Sequence, residues 1–272
     1  MTGPLADYRQ PEAWGVGARS YDAAMVPLTS PFAASMLDEL GVLPGATGIR
    51  LLDVAAGTGA LALEAVRRGA SVLATDFAPG MVAVLRQHLA EAGLTAEVQT
   101  MDGQALSVGD GAFDVATSNF GLIFFPDRAK GLAELHRALR PGGHVGIACW
   151  DLDSSVQRLL GAAVDRVVPD RTPPPPPVWA ALGTADGLRS ALSGAGFAGV
   201  RVQRDTHHWP LEDPAAFFRA APDGSPTLRV LFAELGDALI DRAAAAFADV
   251  VSERRGPEGL PMSAFIGVGT RA

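Results

Sequence analysis

The chain has 272 residues, 48% of them hydrophobic, which is enough for one large domain with a sizeable core. Its 30 acidic and 22 basic residues give a formal net charge of -8, which disfavours nucleic acids and anionic membranes as partners. The single cysteine, Cys149, excludes an intrachain disulfide. The N-terminal "MTGPLADYRQPEAW" lacks the features of a secretory signal, and no stretch approaches about 18 uninterrupted apolar residues, so we expect a cytoplasmic protein.

The first half of the chain predicts an alternation of strands and helices. A helix is predicted over residues 31–43 and ends at "PGATG". Short apolar runs after it have the pattern of buried parallel strands, and amphipathic segments between them predict helices on the faces of the sheet. The predicted strands are "IRLLDVA" (49–55), "SVLATD" (71–76), "AEVQTMD" (96–102), "FDVATSNF" (113–120) and "HVGIACW" (144–150); the helices are "ALALEAVRRGA", "PGMVAVLRQHLAEAG" and "RAKGLAELHRALRPGG".

The second half is less regular. A helix is expected over residues 154–168, and "PPPPP" at 173–177 is typical of a stiff extended spacer. Ligands of parallel sheets bind outside the carboxyl ends of the strands, so candidate functional residues are sought there. The remaining predicted elements are a helix over 186–197, a sixth strand over 198–209, mostly helix over 213–251 and a final strand over 263–272.

The stretch "LLDVAAGTGALAL" joins the first strand to its helix through a glycine turn. Gly57, Thr58 and Gly59 match the dinucleotide-binding pattern only loosely, and such a short pattern recurs by chance. By themselves these glycines are compatible with a nicotinamide cofactor or a sulfonium cofactor.

Polar residues at the ends of the next strands narrow this choice. Asp53 lies within the first strand, and Asp76 ends the second, where a carboxylate can accept both hydroxyls of a ribose. Asp102 ends the third, where it can accept from an adenine amine, and Asn119 ends the fourth. Aspartate also caps helices and begins turns, but the joint occurrence of these residues with the glycine turn favours an adenosine site.

The ordered set of motifs resembles the class I S-adenosylmethionine-dependent methyltransferases of the small-molecule type. It is similar to methyltransferases of ubiquinone and menaquinone biosynthesis and to antibiotic-tailoring enzymes of bacteria. The resemblance covers residues 49–150, and beyond it only the general layout agrees, including "LSGAGFAGVRV". The matching segments are "LLDVAAGTG", "VLATDFAPGMV", "TMDGQAL", "FDVATSNFGLIFFPD" and "ALRPGGHVGIACW".

The resemblance implies an α/β fold: a Rossmann-like, doubly wound, seven-stranded and mostly parallel sheet, with a helical N-terminal cap and a helical insertion near the C-terminal part. It divides the chain into a cap (1–43), a cofactor-binding core (44–151) and a C-terminal part of the same domain (152–272). It also implies S-adenosylmethionine as cofactor, with S-adenosylhomocysteine as product, and no metal. The implied cofactor-binding residues are Asp53, Ala55, Gly57, Thr58, Gly59, Asp76, Phe77, Met81, Asp102, Gly103, Gln104, Asn119 and Phe120.

Other functions are disfavoured by the same residues. A nicotinamide site gives no role to Asp53 or Asp102, and base-methylating enzymes resemble one another in an Asn/Asp-Pro-Pro-aromatic motif where this chain has "SNFG". Two rivals stay open: an enzyme of the same fold that catalyses a non-methylating step such as cyclisation, and a cofactor-binding protein without turnover. The sequence does not decide between a monomer and a homodimer.

Methyl transfer depends mainly on alignment, and a base is needed only for a weakly acidic acceptor. His207 and His208 follow the core of the sixth strand; strand alternation turns only one of them inward, and His208 is the candidate base. Trp14 and Tyr21 in the cap, and Trp150 after the fifth strand, are the candidate residues for binding a small-molecule acceptor.

Overall fold

The computed structural model describes residues 7–172, 176–177, 179–233 and 235–272. These residues form a seven-stranded sheet with the strand order β3-β2-β1-β4-β5-β7-β6, in which β7 runs antiparallel to both neighbours and the other strands are parallel. The doubly wound, mostly parallel sheet expected from the sequence is therefore confirmed. The strands are β1 (Arg50–Val54), β2 (Ser71–Asp76), β3 (Glu97–Thr100), β4 (Phe113–Asn119), β5 (Leu139–Trp150), β6 (Phe197–Trp209) and β7 (Leu260–Arg271).

Helices cover the sheet and the carboxyl ends of its strands. One large cluster of buried apolar side chains connects the second N-terminal helix, the sheet and the C-terminal helices. A smaller cluster around Trp14 and Met81 joins the first N-terminal helix to the helix that follows β2. Among the described residues, no helix combines the length and the hydropathy that a membrane crossing requires. The helices are α1 (Pro11–Gly15), α2 (Ala18–Glu39), α3 (Ala60–Arg67), α4 (Pro79–Glu91), α5 (Arg128–Ala138), α6 (Val156–Val167), α7 (Ala185–Gly194), α8 (Pro214–Gly224), α9 (Pro226–Ala233) and α10 (Asp237–Arg254).

The strand order places a crevice above β1 and β4. From β1 the chain adds β2 and β3 on one side, then crosses to add β4 on the other side of β1. Asp53 in β1 lies beside Thr117 in β4, so the two strands bring their carboxyl ends to the same level. Such a reversal of strand order is where open parallel sheets bind ligands.

The N-terminal helix differs from its predicted bounds. Helix α2 begins at Ala18 rather than at residue 31 and contains Pro27 and Pro31. Each proline removes one helical hydrogen bond, so the sequence favoured a helix that starts at the second one. Burial offsets this loss, because the side chains of Phe32 and Met36 in this helix are fully buried.

Other boundaries shift by a few residues. Strand β3 ends at Thr100, so Asp102 lies in the following turn. Strand β5 begins at Leu139, because the "LRPGG" segment continues as extended chain instead of closing the preceding helix. Of the predicted proline spacer, residues 173–175 lie outside the described residues.

Candidate active site

A cleft opens at the carboxyl ends of β1, β2 and β4, and we call it the main cleft. It encloses about 810 Å³, counted to its open mouth. Most residues predicted for cofactor binding line it, together with two predicted acceptor residues: Ala55, Gly57, Asp76, Phe77, Met81, Asp102, Gly103, Gln104, Asn119, Phe120, Trp14 and Tyr21. Sequence reasoning missed Tyr8, Arg9, Met101, Gly121, Phe124, Phe125 and Pro126.

Asp76 fixes the glycine turn at the floor of this cleft. The Gly57 N–H donates to Asp76 Oδ2 and the Ala78 N–H donates to Asp76 Oδ1, both at 2.9 Å. Burial raises the pKa of Asp76 to about 6, although both amide hydrogen bonds oppose this shift. Each carboxylate oxygen can accept a further hydrogen bond, so Asp76 can hold the turn and still accept from a ligand.

Gly59 begins helix α3 with a φ of +104°, a conformation that favours glycine. A Cβ at this position would lie 2.3 Å from Cδ1 of both Leu63 and Leu85. Gly59, predicted as a cofactor-binding residue, does not line the main cleft. Its conformation and close contacts show that it shapes the turn.

Two strained residues flank the crevice. Ala55 and Phe120 directly follow β1 and β4, and both have positive φ values, +56° and +60°. Non-glycine residues rarely adopt this conformation, and it concentrates at functional sites. A Cβ on Gly121 would lie 2.4 Å from the Ala55 Cβ, so glycine at position 121 allows the two strand ends to approach closely.

Below the main cleft lies a small space that we call the polar recess. Its lining includes Asp53, Thr58 and Asn119. Among the described residues, Asp53 Oδ2, Thr58 Oγ1 and Asn119 Oδ1 are buried without a hydrogen-bond partner. Asp53 Oδ1 accepts from Thr117 Oγ1 at 3.0 Å, and burial raises the pKa of Asp53 to about 7. Unpaired buried polar atoms are costly, and three of them around one recess indicate a polar ligand.

Asp102 has a more exposed position at the rim. Its Oδ1 accepts from the Gln104 N–H at 2.9 Å, and Gln104 Oε1 in turn accepts from the Asp127 N–H at 2.9 Å. These bonds hold the turn after β3 against the segment that follows β4.

A second cavity adjoins the main cleft, and we call it the aromatic cavity. Trp14, Tyr21, Phe120 and Phe124 line both spaces, so the two lie directly side by side. Phe120 stacks on Trp150 with ring centroids 4.0 Å apart. The remaining lining residues are Met25, Thr29, Ile123, Ser155, Val156, Gln157, Trp179, Ser225, Thr227 and Leu228.

The N-terminal helices cover both spaces. Trp14 donates from Nε1 to the Tyr8 carbonyl at 2.7 Å and packs edge-on against Phe124, with centroids 4.8 Å apart. Helix α1 contacts α4 so closely that a Cβ on Gly80 would lie 2.5 Å from the Gly15 Cα.

A histidine connects the glycine turn to helix α2. His88 Nδ1 lies 3.0 Å from the Thr58 carbonyl oxygen, and His88 Nε2 lies 3.3 Å from Asp22 Oδ2. The cap and the turn are therefore held in one arrangement by a side chain on α4.

Comparison with known proteins identifies the family. Residues 51–143 match a methyltransferase domain model. The chain is 32% identical to the nocamycin O-methyltransferase of Saccharothrix syringae over 249 residues, which is 86% of each protein. The chain belongs to the S-adenosylmethionine-dependent methyltransferases. A protein of Mycobacterium tuberculosis without an assigned function is 30% identical over 253 residues, 88% of this chain and 89% of that protein.

Solved structures agree with this family in fold. A phosphoethanolamine N-methyltransferase of Haemonchus contortus in complex with S-adenosylmethionine superimposes with a TM-score of 0.55 at 16% identity, covering 89% of this chain and 53% of that chain. A (4+2)-cyclase superimposes with a TM-score of 0.52 at 20% identity, covering 89% and 80%. At these identities the likeness shows the fold alone, so the cyclase does not favour a non-methylating reaction here.

The methyltransferase therefore uses S-adenosylmethionine, and the residues of this chain fit that cofactor. An ammonium group has three N–H donors, and the polar recess presents carboxylate, amide and hydroxyl oxygens that lack partners. The cleft above the recess has a buried carboxylate, Asp76, and an apolar wall that includes Phe77 and Met81.

The predicted base, His208, is not among the residues that line either space. It lies within β6, is exposed, and its Nδ1 is 3.3 Å from Glu258 Oε2. Its neighbour His207 turns toward α2, where its Nε2 is 3.1 Å from Ser35 Oγ and its ring packs edge-on against Phe32. Alternation along the strand does separate the two histidines, but neither reaches the cavity lining.

Proposed function

We propose that the methyltransferase binds its cofactor along the main cleft, with the amino acid end in the polar recess and the adenosine end toward the turn after β3. The acceptor then enters through the aromatic cavity. The observation that carries this proposal is the set of three unpartnered oxygens on Asp53, Thr58 and Asn119, which match the donors of an ammonium group. The shared aromatic lining supports a direct route from one space to the other.

The adenosine end is assigned to residues of β2 and of the turn after β3. Asp76 accepts from the ribose hydroxyls, with Phe77 and Met81 bordering the adenine. Asp102 accepts from the adenine amine, with the backbone of Gly103 and Gln104 beside the ring. Lining of one continuous cleft by all these residues supports the assignment.

The bound cofactor supplies an electrophilic methyl group on a positively charged sulfur. The residues of the chain supply alignment and exclusion of water, which can account for most of the acceleration of an in-line displacement. We assign the cap that closes this space to residues 1–43, of which 1–6 lie outside the described residues. Residues 44–151 are assigned to the cofactor-binding core, and residues 152–272 to the acceptor side.

The described lining of the aromatic cavity offers no ionisable side chain other than Tyr21 that could act as a base toward the acceptor. No Asp, Glu, Lys, Arg or His occurs among the described residues that line it. Tyr21 does line it, but burial and the nearby Asp76 and Asp22 carboxylates raise the pKa of its phenol, so it stays protonated. We therefore favour an acceptor whose own hydroxyl or carboxyl group is acidic enough to ionise.

The acceptor proposed is a small, largely apolar metabolite or natural product, handled in the cytoplasm. The apolar lining of the cavity and the similarity to nocamycin O-methyltransferase support this class. The net charge of -8 argues against nucleic acid.

Calorimetry with S-adenosylmethionine and S-adenosylhomocysteine tests the cofactor site, and we expect both to bind with one molecule per chain. Incubation with methyl-labelled cofactor and an extract of small metabolites then tests transfer. Absence of binding to either compound contradicts the cleft assignment. Binding without transfer of label to any acceptor favours a non-methylating or non-catalytic protein.

A further inference from the structure

Gln157 and Trp179 form a hydrogen-bonded pair in the part of the aromatic cavity that does not border the main cleft. Both line that cavity and neither lines the main cleft. Gln157 is the second residue of α6, and Trp179, which is 2% exposed, precedes α7. The pair therefore lies on the acceptor side of the site.

The hydrogen bond between them fixes which end of the amide is free. Trp179 Nε1 lies 3.2 Å from Gln157 Oε1. An indole nitrogen can only donate, so the amide atom facing it has to be the oxygen. The Gln157 Nε2 group, which carries two N–H donors, has no hydrogen-bond partner among the described residues and is left for a ligand.

Each hydroxyl group at this end of the cavity already has a hydrogen-bond partner. Ser155 Oγ accepts from the Arg158 N–H as the cap of α6. Ser225 Oγ and Thr227 Oγ1 pair with each other at 3.0 Å. Thr29 Oγ1 donates to the Met25 carbonyl at 3.0 Å. The Gln157 amide thus differs from these hydroxyl groups, because Trp179 fixes its orientation and both of its N–H donors are unused among the described residues.

We propose that Gln157 selects the methyl acceptor by donating a hydrogen bond to a carbonyl oxygen on a flat phenol or enol, and that Trp179 is its positioning residue. This inference rests on the proposed function. The aromatic walls formed by Trp14, Phe120 and Trp150 favour a flat ring, and the lack of charged lining residues favours an acceptor with its own acidic hydroxyl group.

The test compares two phenols that share one bicyclic skeleton. 6-Hydroxy-2-tetralone carries a ketone that 5,6,7,8-tetrahydro-2-naphthol lacks, and this ketone is not conjugated with the ring. Dissociation constants are measured by calorimetry with the protein saturated with S-adenosylhomocysteine. We expect the ketone to bind about fivefold to tenfold more tightly to the wild-type protein, the contribution of one net hydrogen bond.

Variants then assign the preference to the amide donor. Gln157→Leu and Gln157→Glu both remove the N–H donors, and Gln157→Glu keeps the oxygen that Trp179 contacts; each should abolish the preference. Trp179→Phe should reduce it, because the amide can then rotate. Gln203→Leu, the same change at an exposed position in β6, should leave it intact.

Four results would overturn the inference. Equal binding of the two phenols to the wild-type protein removes the selection, and a preference that persists in both Gln157 variants assigns it elsewhere. Failure of both phenols to bind while S-adenosylhomocysteine binds rejects the acceptor class alone. Failure of S-adenosylhomocysteine itself to bind rejects the proposed function and this inference together.

Discussion

The main cleft and the aromatic cavity meet at four aromatic side chains but differ in how they are built. The cleft is formed by backbone turns at strand ends, with a buried carboxylate, Asp76, that already accepts two backbone hydrogen bonds. The cavity is formed by side chains from helices and loops, with no charged residue among those described in its lining. The main cleft is therefore suited to a polar ligand such as the cofactor, and the aromatic cavity is suited to an apolar acceptor.

Phe120 lies where the two regions meet. It lines both spaces, has a positive φ, and stacks on Trp150. Phe120 therefore joins the end of β4, which borders the main cleft, to the aromatic side chains that line the aromatic cavity. We expect cofactor binding and acceptor selection to be separable. A substitution in the main cleft should leave acceptor preference unchanged, and a substitution in the aromatic cavity should leave cofactor affinity unchanged.

The largest expected effect is on the polar side. Asp53→Asn should weaken S-adenosylhomocysteine binding by about 2 to 4 kcal/mol, because a buried carboxylate then no longer pairs with the ammonium group. 5′-Methylthioadenosine, which lacks the amino acid, should bind as it does to the wild-type protein. Asp186→Asn in α7, at a carboxylate whose side chain is 96% exposed and which lines neither space, is the control and should leave both affinities unchanged. Equal losses for both ligands in calorimetry would assign Asp53 to the turn rather than to the ammonium group.

Asp76→Ala should have the next largest effect, roughly 1 to 3 kcal/mol on the binding of both ligands, because ribose hydroxyls lose their acceptor. The amides of Gly57 and Ala78 also lose theirs, so the unfolding midpoint should fall as well. An unchanged affinity for 5′-methylthioadenosine would show that Asp76 does not contact the ribose.

A smaller effect is expected where the cap meets the core. Gly80→Ala forces a Cβ against the Gly15 backbone and should destabilise the cap contact by about 1 to 3 kcal/mol. Cofactor dissociation should accelerate, as measured by stopped-flow tryptophan fluorescence. Gly161→Ala in α6, where a Cβ meets nothing within 4 Å, is the matched control and should stabilise the fold by about 0.5 to 1 kcal/mol. Equal dissociation rates for the two variants would mean that α1 does not close the cleft.

The smallest effect is expected for His208→Ala. The residue is exposed and paired with Glu258, so we expect the rate of labelled methyl transfer to stay within about twofold of wild type. A loss of rate that is rescued at high pH would instead identify His208 as the base.

The sequence locates the residues that line the main cleft and the polar recess because they lie in short local motifs. Asp53, the glycine turn and Asp76 lie within one strand-helix-strand unit, and the alternation of elements predicts that their strand ends converge. The positive φ values of Ala55 and Phe120 had no sequence signal, since neither is a residue typical of that conformation.

The apolar side could not be assembled from the sequence. Its residues come from positions as distant as Trp14 and Leu228, and their meeting depends on how helices pack rather than on a motif. Because Pro27 and Pro31 disfavour a continuous helix, the sequence predicted a later start for α2. The first half of this helix carries Tyr21 into the site. Gln157 and Trp179 have no local pattern that marks them as a pair.

The pH dependence of cofactor binding tests the central claim, that Asp53 receives the ammonium group, most directly. Burial raises the pKa of Asp53 to about 7 in the free protein, so below that pH the carboxyl group has to lose a proton before it can pair with a cation. Calorimetry from pH 6 to 8 should therefore show that S-adenosylhomocysteine affinity rises with pH and levels off above about 7 in the wild-type protein. In Asp53→Asn the affinity should be lower and should rise by no more than about twofold between pH 6 and 8, because Asp76, with a pKa of about 6, is already half ionised at pH 6. The same rise with pH in both proteins would contradict the account.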